Sequence, residues 1–321
     1  MTTDETPTPQ LAPAEKVSPQ ETKVFTAKFR MVALDLDGTL LNSQHQLSET
    51  TKACLRRLDQ EGFVIAIATG RGITTVYNTV RSLNLPKPIP VVCSNGAQGY
   101  LCSVNENVEK ELLFSTPVPL VVAQRTAELS FEMGFLSQCY IGEEIFADPR
   151  EPHHFEKTQA YIELTGSKTQ YVQDQFQQAS TKGLPSKQLV LCRDEEQDAM
   201  IHAFETELAK EPYLINGKRA TIVRGNLGWF LEVLHPDVNK GNGLQKMCKH
   251  LNVPMDECIA FGDGDNDYEF LQMAGRGYAM KNARDVVKKI ADQVIDYTND
   301  EDGVAKTLQA LQEQNCLVFA S

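Results

Sequence analysis

The chain has 321 residues, 41% of them apolar and 23% charged, which allows a core of ordinary size and, by length, two domains. Its formal net charge of −12 excludes a nucleic-acid backbone or an anionic membrane as the main partner, but not a small anion held by local cations and a metal ion. Eight cysteines without a CxxC pair, and no apolar stretch near the ~18 residues of a membrane span, point to a soluble cytoplasmic protein with reduced thiols.

Residues 1–28 are rich in Thr, Pro, Glu and Gln without a hydrophobic period, the composition of a disordered leader. Asp4, Glu5, Glu15 and Glu21 precede the first arginine, Arg30, which argues against a mitochondrial import signal. From Phe29 the run FRMVALDLD suits a buried parallel strand. Residues 48–61 predict a helix opened by Ser48 as N-cap and closed by Gly62. FVIAIAT is a second buried strand, 72–84 a second helix, and IPVVCSNGA a third strand that runs into a turn at Asn95-Gly96. This β-α-β-α-β order predicts a doubly wound, mainly parallel α/β sheet with right-handed crossovers.

Between 98 and 230 the texture changes. The alternating strands LLFSTPV, FLSQCYIG, KQLVLC and RATIVR are separated by helices at 119–133, 153–165 and 195–210, as in an α+β unit with one sheet face exposed. After Lys240 the first texture returns: a helix at 241–251, the strand CIAFGD, a helix at 265–274, the short strand GYAM, and helices at 284–291 and 303–313. The predicted architecture is one α/β core, residues 29–97 and 231–321, interrupted by an inserted α+β unit at 98–230.

Four polar clusters fall at strand ends or at the start of a helix, and an open parallel sheet binds ligands at the carboxyl ends of its strands. In DLDGT, 35–39, Asp35 can act as nucleophile and Asp37 as proton donor and acceptor, if Gly38 lets the backbone curl so that both reach one phosphoryl group. In ATGR, 68–71, Thr69 offers a hydroxyl and Gly70 an unhindered N–H to a phosphate oxygen, although the same residues alone would serve as a simple helix cap. Lys240 stands just before a helix and, alone, reads as a solvated surface lysine. GDGDND, 262–267, packs three carboxylates into five residues after a buried strand, where they repel one another unless a cation sits among them.

In this order the four clusters resemble the haloacid dehalogenase-like superfamily and, within it, the Cof-type phosphatases with a large C2-type cap inserted between the second and third motifs. The resemblance spans roughly residues 29–313, and SNGA at 94–97, MKNA at 280–283 and NDEDGVA at 299–305 are similar to the family's corresponding loops. It implies that Asp35 attacks phosphorus and becomes a phosphoryl-aspartate. Asp37 then protonates the leaving alcohol and later deprotonates the hydrolytic water. Thr69, Gly70, Lys240 and Asn266 are implied to hold phosphoryl oxygens. Mg2+ is implied at Asp35, the backbone carbonyl of Asp37 and Asp263, with Asp267 orienting metal waters or Lys240. Asp265 receives no role. P-type ATPases of the same superfamily carry Thr at the position of Asp37, so an aspartate here implies a phosphoryl-enzyme that is rapidly hydrolysed.

The implied function is Mg2+-dependent hydrolysis of a small phosphorylated metabolite: a sugar phosphate, a flavin-pathway intermediate, a nucleotide or pyridoxal phosphate. A phosphomutase on the same core and a catalytically inactive binding protein are the alternatives, and intact Asp35, Asp37, Lys240 and Asp263 speak against the second. A large cap favours a small substrate over a phosphoprotein. Within the cap, Glu143, Glu144 and the His153-His154 pair are candidates for leaving-group contacts, although the histidines read more simply as a helix start. Trp229 reads as packing at the cap–core junction. Arg71 either reaches substrate or pairs with an acidic neighbour. Neither the ester nor the oligomeric state is legible.

Overall fold

A computed structural model describes residues 28–105, 108–177, 179–192, 196–225 and 228–319. The first part of the chain forms β1 (Lys28–Phe29), β2 (Met31–Leu34), β3 (Val64–Ala68), β4 (Ile89–Cys93), β5 (Gln98–Cys102) and β6 (Glu111–Ser115), with helices α1 (Glu49–Gln60) and α2 (Ile73–Ser82) between them. The middle forms β7 (Leu136–Ile141), β8 (Glu144–Ala147), β9 (Thr169–Tyr171), β10 (Lys187–Leu191), β11 (Thr221–Arg224) and β12 (Phe230–Leu234), with α3 (Leu120–Glu132), α4 (Pro152–Thr165), α5 (Ala179–Lys182) and α6 (Gln197–Leu208). The last part forms β13 (Cys258–Gly262), β14 (Arg276–Ala279), β15 (Gln293–Val294) and β16 (Val318–Phe319), with α7 (Lys240–Leu251), α8 (Tyr268–Met273), α9 (Asp285–Ile290) and α10 (Gly303–Glu313).

The larger sheet has eight strands in the order β15-β14-β13-β2-β3-β4-β5-β6. Met31, Val32, Ala33 and Leu34 are all fully buried. Successive residues of a strand point to opposite faces, so both faces of β2 are covered, as the uninterrupted apolar run requires. Ser48 caps α1 by accepting the Thr51 N–H at 3.0 Å. β2 and β13 are parallel neighbours, Leu34 opposite Phe261, and the chain winds outward from them in opposite directions. The crevice beyond the carboxyl ends of two such strands is where an open sheet takes its ligands. β1 and β16 form a separate parallel pair.

The second sheet has the order β11-β12-β10-β7-β8-β9 and is antiparallel except between β8 and β9. Val190 and Cys192 pack with Val122, Met200 and Phe204 of α3 and α6, while Leu189 and Leu191 pack with Tyr161 of α4. The alternation along β10 thus divides its side chains between two layers of helix.

Both expected limits of the insertion move. Gln98–Cys102 and Glu111–Ser115, expected in the inserted unit, form β5 and β6 and extend the core sheet, while Phe230–Leu234, partly expected in the core, is the β12 strand of the second sheet. The cause is the turn after β4. Ser94, Asn95 and Gly96 take φ of 51°, 55° and 101°, which folds β5 back antiparallel onto β4. An edge strand of either sheet has the same alternation, so composition does not tell the two apart.

The leader expected at 1–28 lies, up to residue 27, outside the described residues. Among the described residues, no helix is long and apolar enough to cross a membrane. Seven of the eight cysteines are buried.

Candidate active site

Asp35 follows β2, is 5% exposed, and donates its N–H to the Phe261 carbonyl of β13 at 3.0 Å. Adjacent parallel strands therefore deliver Asp35 and Asp263 to the same place. Lys240 opens α7 behind the N-cap Asn239, whose side chain accepts the Asn242 N–H at 2.7 Å. Its side chain is buried rather than solvated. Lys240 Nζ donates to Asp35 Oδ1 at 2.5 Å and to Asp267 Oδ1 at 2.6 Å. Asp267 Oδ2 accepts the N–H groups of Asp263 and Gly264, both at 2.9 Å. Asp263 accepts from the Thr39 hydroxyl at 2.8 Å.

One oxygen from each of Asp35, Asp263 and Asp267 lies within 4.8 Å of the others. Burial pushes the Asp35 carboxyl well above the usual carboxylate range; Lys240 opposes this, and Asp267 and Asp263 add to it. Burial, with Asp267 next, pushes Asp263 up to about 6. Burial pulls the Lys240 ammonium down, but Asp267 and Asp35 outweigh it and hold the group protonated. Three carboxylates against one ammonium make an all-oxygen site with excess negative charge, which fits a hard divalent cation such as Mg2+. Asp267 has bonds on both oxygens, which suits a group that braces the site more than one that binds the ion directly. Gly38 is required here: its φ is +80°, and a Cβ would lie 2.4 Å from Asp263 Oδ2.

Asp37 is turned toward the second motif. Its Oδ2 accepts from Arg71 Nε at 2.7 Å and its Oδ1 from Arg71 Nη2, with His45 Nδ1 3.3 Å from the same Oδ1. The Arg71 N–H in turn donates to the Thr69 hydroxyl at 3.2 Å. Thr69 is buried and accepts the Asn95 N–H on its carbonyl at 3.1 Å. Asn266 donates to Asn95 Oδ1 at 2.9 Å. All four motifs therefore meet in one hydrogen-bonded neighbourhood, and Arg71 is the acidic neighbour's partner. Asp265 points elsewhere, into an exposed pair with Arg284 at 2.8 Å.

The family described as haloacid dehalogenase-like hydrolase matches residues 32–308. The chain is a haloacid dehalogenase-like hydrolase. It is 29% identical over 283 residues to the 5-amino-6-(5-phospho-D-ribitylamino)uracil phosphatase YitU of Bacillus subtilis, an alignment covering 87% of this chain and 96% of that protein. It is 31% identical over 255 residues to the HMP-PP phosphatase of Cronobacter sakazakii, covering 79% and 85% of the two chains. The crystal structure of a haloacid dehalogenase-like hydrolase from Bacteroides thetaiotaomicron superposes with a TM-score of 0.74 at 26% identity, covering 88% of this chain and 100% of that one.

In this hydrolase the second sheet reaches the site through side chains that the sequence did not single out. Lys187 donates to the Gly70 carbonyl at 2.9 Å, and the Tyr140 ring lies against Gly72. Tyr140 donates to the Tyr161 hydroxyl at 3.0 Å. The residues proposed for leaving-group contact are otherwise engaged: Glu143 pairs with Lys110 at 2.8 Å, and Glu144 pairs with Lys182 and accepts from Gln170 at 2.6 Å. His153 Nε2 lies 2.9 Å from the Gly134 carbonyl, and buried His154 accepts the Arg150 N–H at 3.2 Å, so both belong to the start of α4. Trp229 packs edge-on against Tyr161 and Phe230. A lone charge inside an apolar strand, Lys187 in KQLVL or Glu232 in FLEVL, was the available signal.

Proposed function

We propose that this hydrolase is a Mg2+-dependent phosphatase that cleaves a small phosphate monoester through a phosphoryl-aspartate on Asp35. The observation that carries the reading is the buried Asp35–Lys240–Asp267 bridge beside Asp263: a carboxylate at the end of a central strand, with one oxygen held by a cation, in a cluster whose charge a divalent ion balances. The names of the two similar proteins, each a phosphatase of a phosphorylated small molecule, support it.

Asp35, Asp263 and the backbone carbonyl of Asp37 would hold Mg2+, which would supply Lewis-acid neutralisation of phosphoryl charge. Lys240, Thr69, Gly70 and Asn266 hold phosphoryl oxygens, so that the reacting group is fixed in line with Asp35. The Asp35 oxygen bonds to phosphorus as the bond from phosphorus to the leaving oxygen breaks. Asp37, oriented by Arg71, gives a proton to that oxygen; it then takes a proton from the water that attacks the acyl phosphate, which releases phosphate and restores Asp35. The unit between β6 and α7 acts as a cap that excludes water during both steps.

The test is phosphate release from a panel of monophosphates with Mg2+ and with EDTA, beginning with 5-amino-6-(5-phospho-D-ribitylamino)uracil and including sugar phosphates, nucleotides, pyridoxal phosphate and an aryl phosphate. Mg2+-dependent release from at least one ester supports the reading. Silence across the panel contradicts it, and isomer formation without phosphate release would make the protein a mutase.

A further inference from the structure

One buried ion pair has no part in the steps above. Lys187 of β10 is 1% exposed and Glu232 of β12 is 6% exposed. Lys187 stands opposite Tyr140, and Glu232 opposite Leu189, so all three polar side chains share the face of the second sheet that meets the core loops. Lys187 Nζ donates to Glu232 Oε1 and to the Gly70 carbonyl, and lies 4.6 Å from the Tyr140 ring centroid. The other Glu232 oxygen accepts from Asn95 Nδ2 at 2.7 Å, and Asn95 Oδ1 accepts from Asn266 Nδ2 at 2.9 Å.

Each end of the pair therefore terminates on a loop of the phosphate site. Lys187 holds the carbonyl next to Thr69. Glu232 holds Asn95, which carries Asn266. Asn95 is the middle residue of a turn with three successive positive φ values, a conformation that persists only where its surroundings enforce it. Gly70 closes directly on this side chain, a Cβ there lying 3.0 Å from Asn95 Oδ1. A buried ion pair contributes little net stability compared with apolar residues of similar volume. Stability therefore does not explain why two opposite charges are buried on the inner face of this sheet.

We propose that Lys187 and Glu232 are positioning residues for the phosphate site: the pair fixes the Thr69–Gly70 loop on one side and, through Asn95, Asn266 on the other. What these loops hold rests on the phosphatase reading. The addition is that the second sheet sets the affinity of the core for the phosphoryl group through two side chains that substrate does not touch.

The informative variant is Lys187→Met/Glu232→Leu, because it removes both charges and leaves neither one buried alone. Melting temperature, kcat, KM and the inhibition constant of inorganic phosphate are measured with wild-type protein alongside. The double variant is expected to melt near wild type, to lose about 30-fold in kcat, and to bind inorganic phosphate about 10-fold more weakly. Asn95→Ala is expected to weaken phosphate binding similarly, and adding it to the double variant is expected to cause little further loss, as for members of one chain of contacts. A well-folded double variant with wild-type kcat and phosphate affinity overturns the proposal. Should the double variant fail to fold, Asn95→Ala, which removes no charged group, decides by the same phosphate measurement, with its melting temperature as the control for folding. Wild-type protein that neither turns over an ester nor binds phosphate overturns the phosphatase reading as well; active wild type beside an equally active double variant overturns the positioning role alone.

Discussion

Replacing Asp35 by asparagine is expected to abolish turnover and, in metal-free buffer, to make the protein more stable. Asp35 Oδ1 lies 2.5 Å from Lys240 Nζ, while its carboxylate lies within 4.8 Å of those of Asp263 and Asp267. At an effective dielectric of about 20, the attraction is ~7 kcal/mol and the two repulsions together are ~7 kcal/mol or more. These nearly cancel, so burial decides, and it acts against the charged form. Asparagine keeps the shape and an oxygen for Lys240 but carries no charge. The expected gain is about 0.5–2 kcal/mol, at roughly 2–4 °C per kcal/mol for a chain of this size, read by calorimetry in EDTA. Mg2+ reverses the order, because wild type gains about 3 kcal/mol when the ion is at 100 times its dissociation constant and the variant loses much of that gain. A variant less stable than wild type in EDTA by more than about 1 kcal/mol would refute the charge arithmetic, since the Lys240 attraction would then outweigh repulsion and burial.

Two further variants probe the neighbouring groups. Asp263→Asn is expected to raise the Mg2+ concentration for half-maximal activity at least ~10-fold, and an unchanged metal titration would move the ion elsewhere. Arg71→Met is expected to lower kcat about 10- to 100-fold through misplacement of Asp37. Its melting temperature is expected to change by less than the equivalent of about 1 kcal/mol, because an ion pair with side chains 24% and 38% exposed contributes little to stability; a steady-state rate and a melting curve check both.

The carboxylates that meet at the site were legible in the sequence because their motifs follow strands with a strong local signature. DLDGT and GDGDND both follow apolar runs that only a doubly covered strand can bury, and those strands prove to be neighbours. Lys240 shows the limit of local reading. By itself it resembles a solvated lysine, and only the order of the motifs marked it as a residue that is in fact 1% exposed. Membership of β5 and β6 in the core was not legible, because strand pairing is a long-range choice made by the turn at Ser94–Gly96. Arg71 and Lys187 were left open or passed over for a related reason. Their partners, Asp37 and Glu232, are 34 and 45 residues away, and only the folded topology brings them within hydrogen-bonding reach.

The phosphoryl-aspartate is tested most directly by acid quench of the Asp37→Asn variant during incubation with Mg2+ and a phosphate ester that wild type hydrolyses, followed by peptide mass spectrometry. Loss of the acid/base group slows hydrolysis of the intermediate, so one phosphoryl group is expected on the peptide that contains Asp35, and none in the Asp35→Asn/Asp37→Asn double variant. A phosphoryl group on another residue, or undiminished turnover by Asp35→Asn, would contradict nucleophilic catalysis by Asp35.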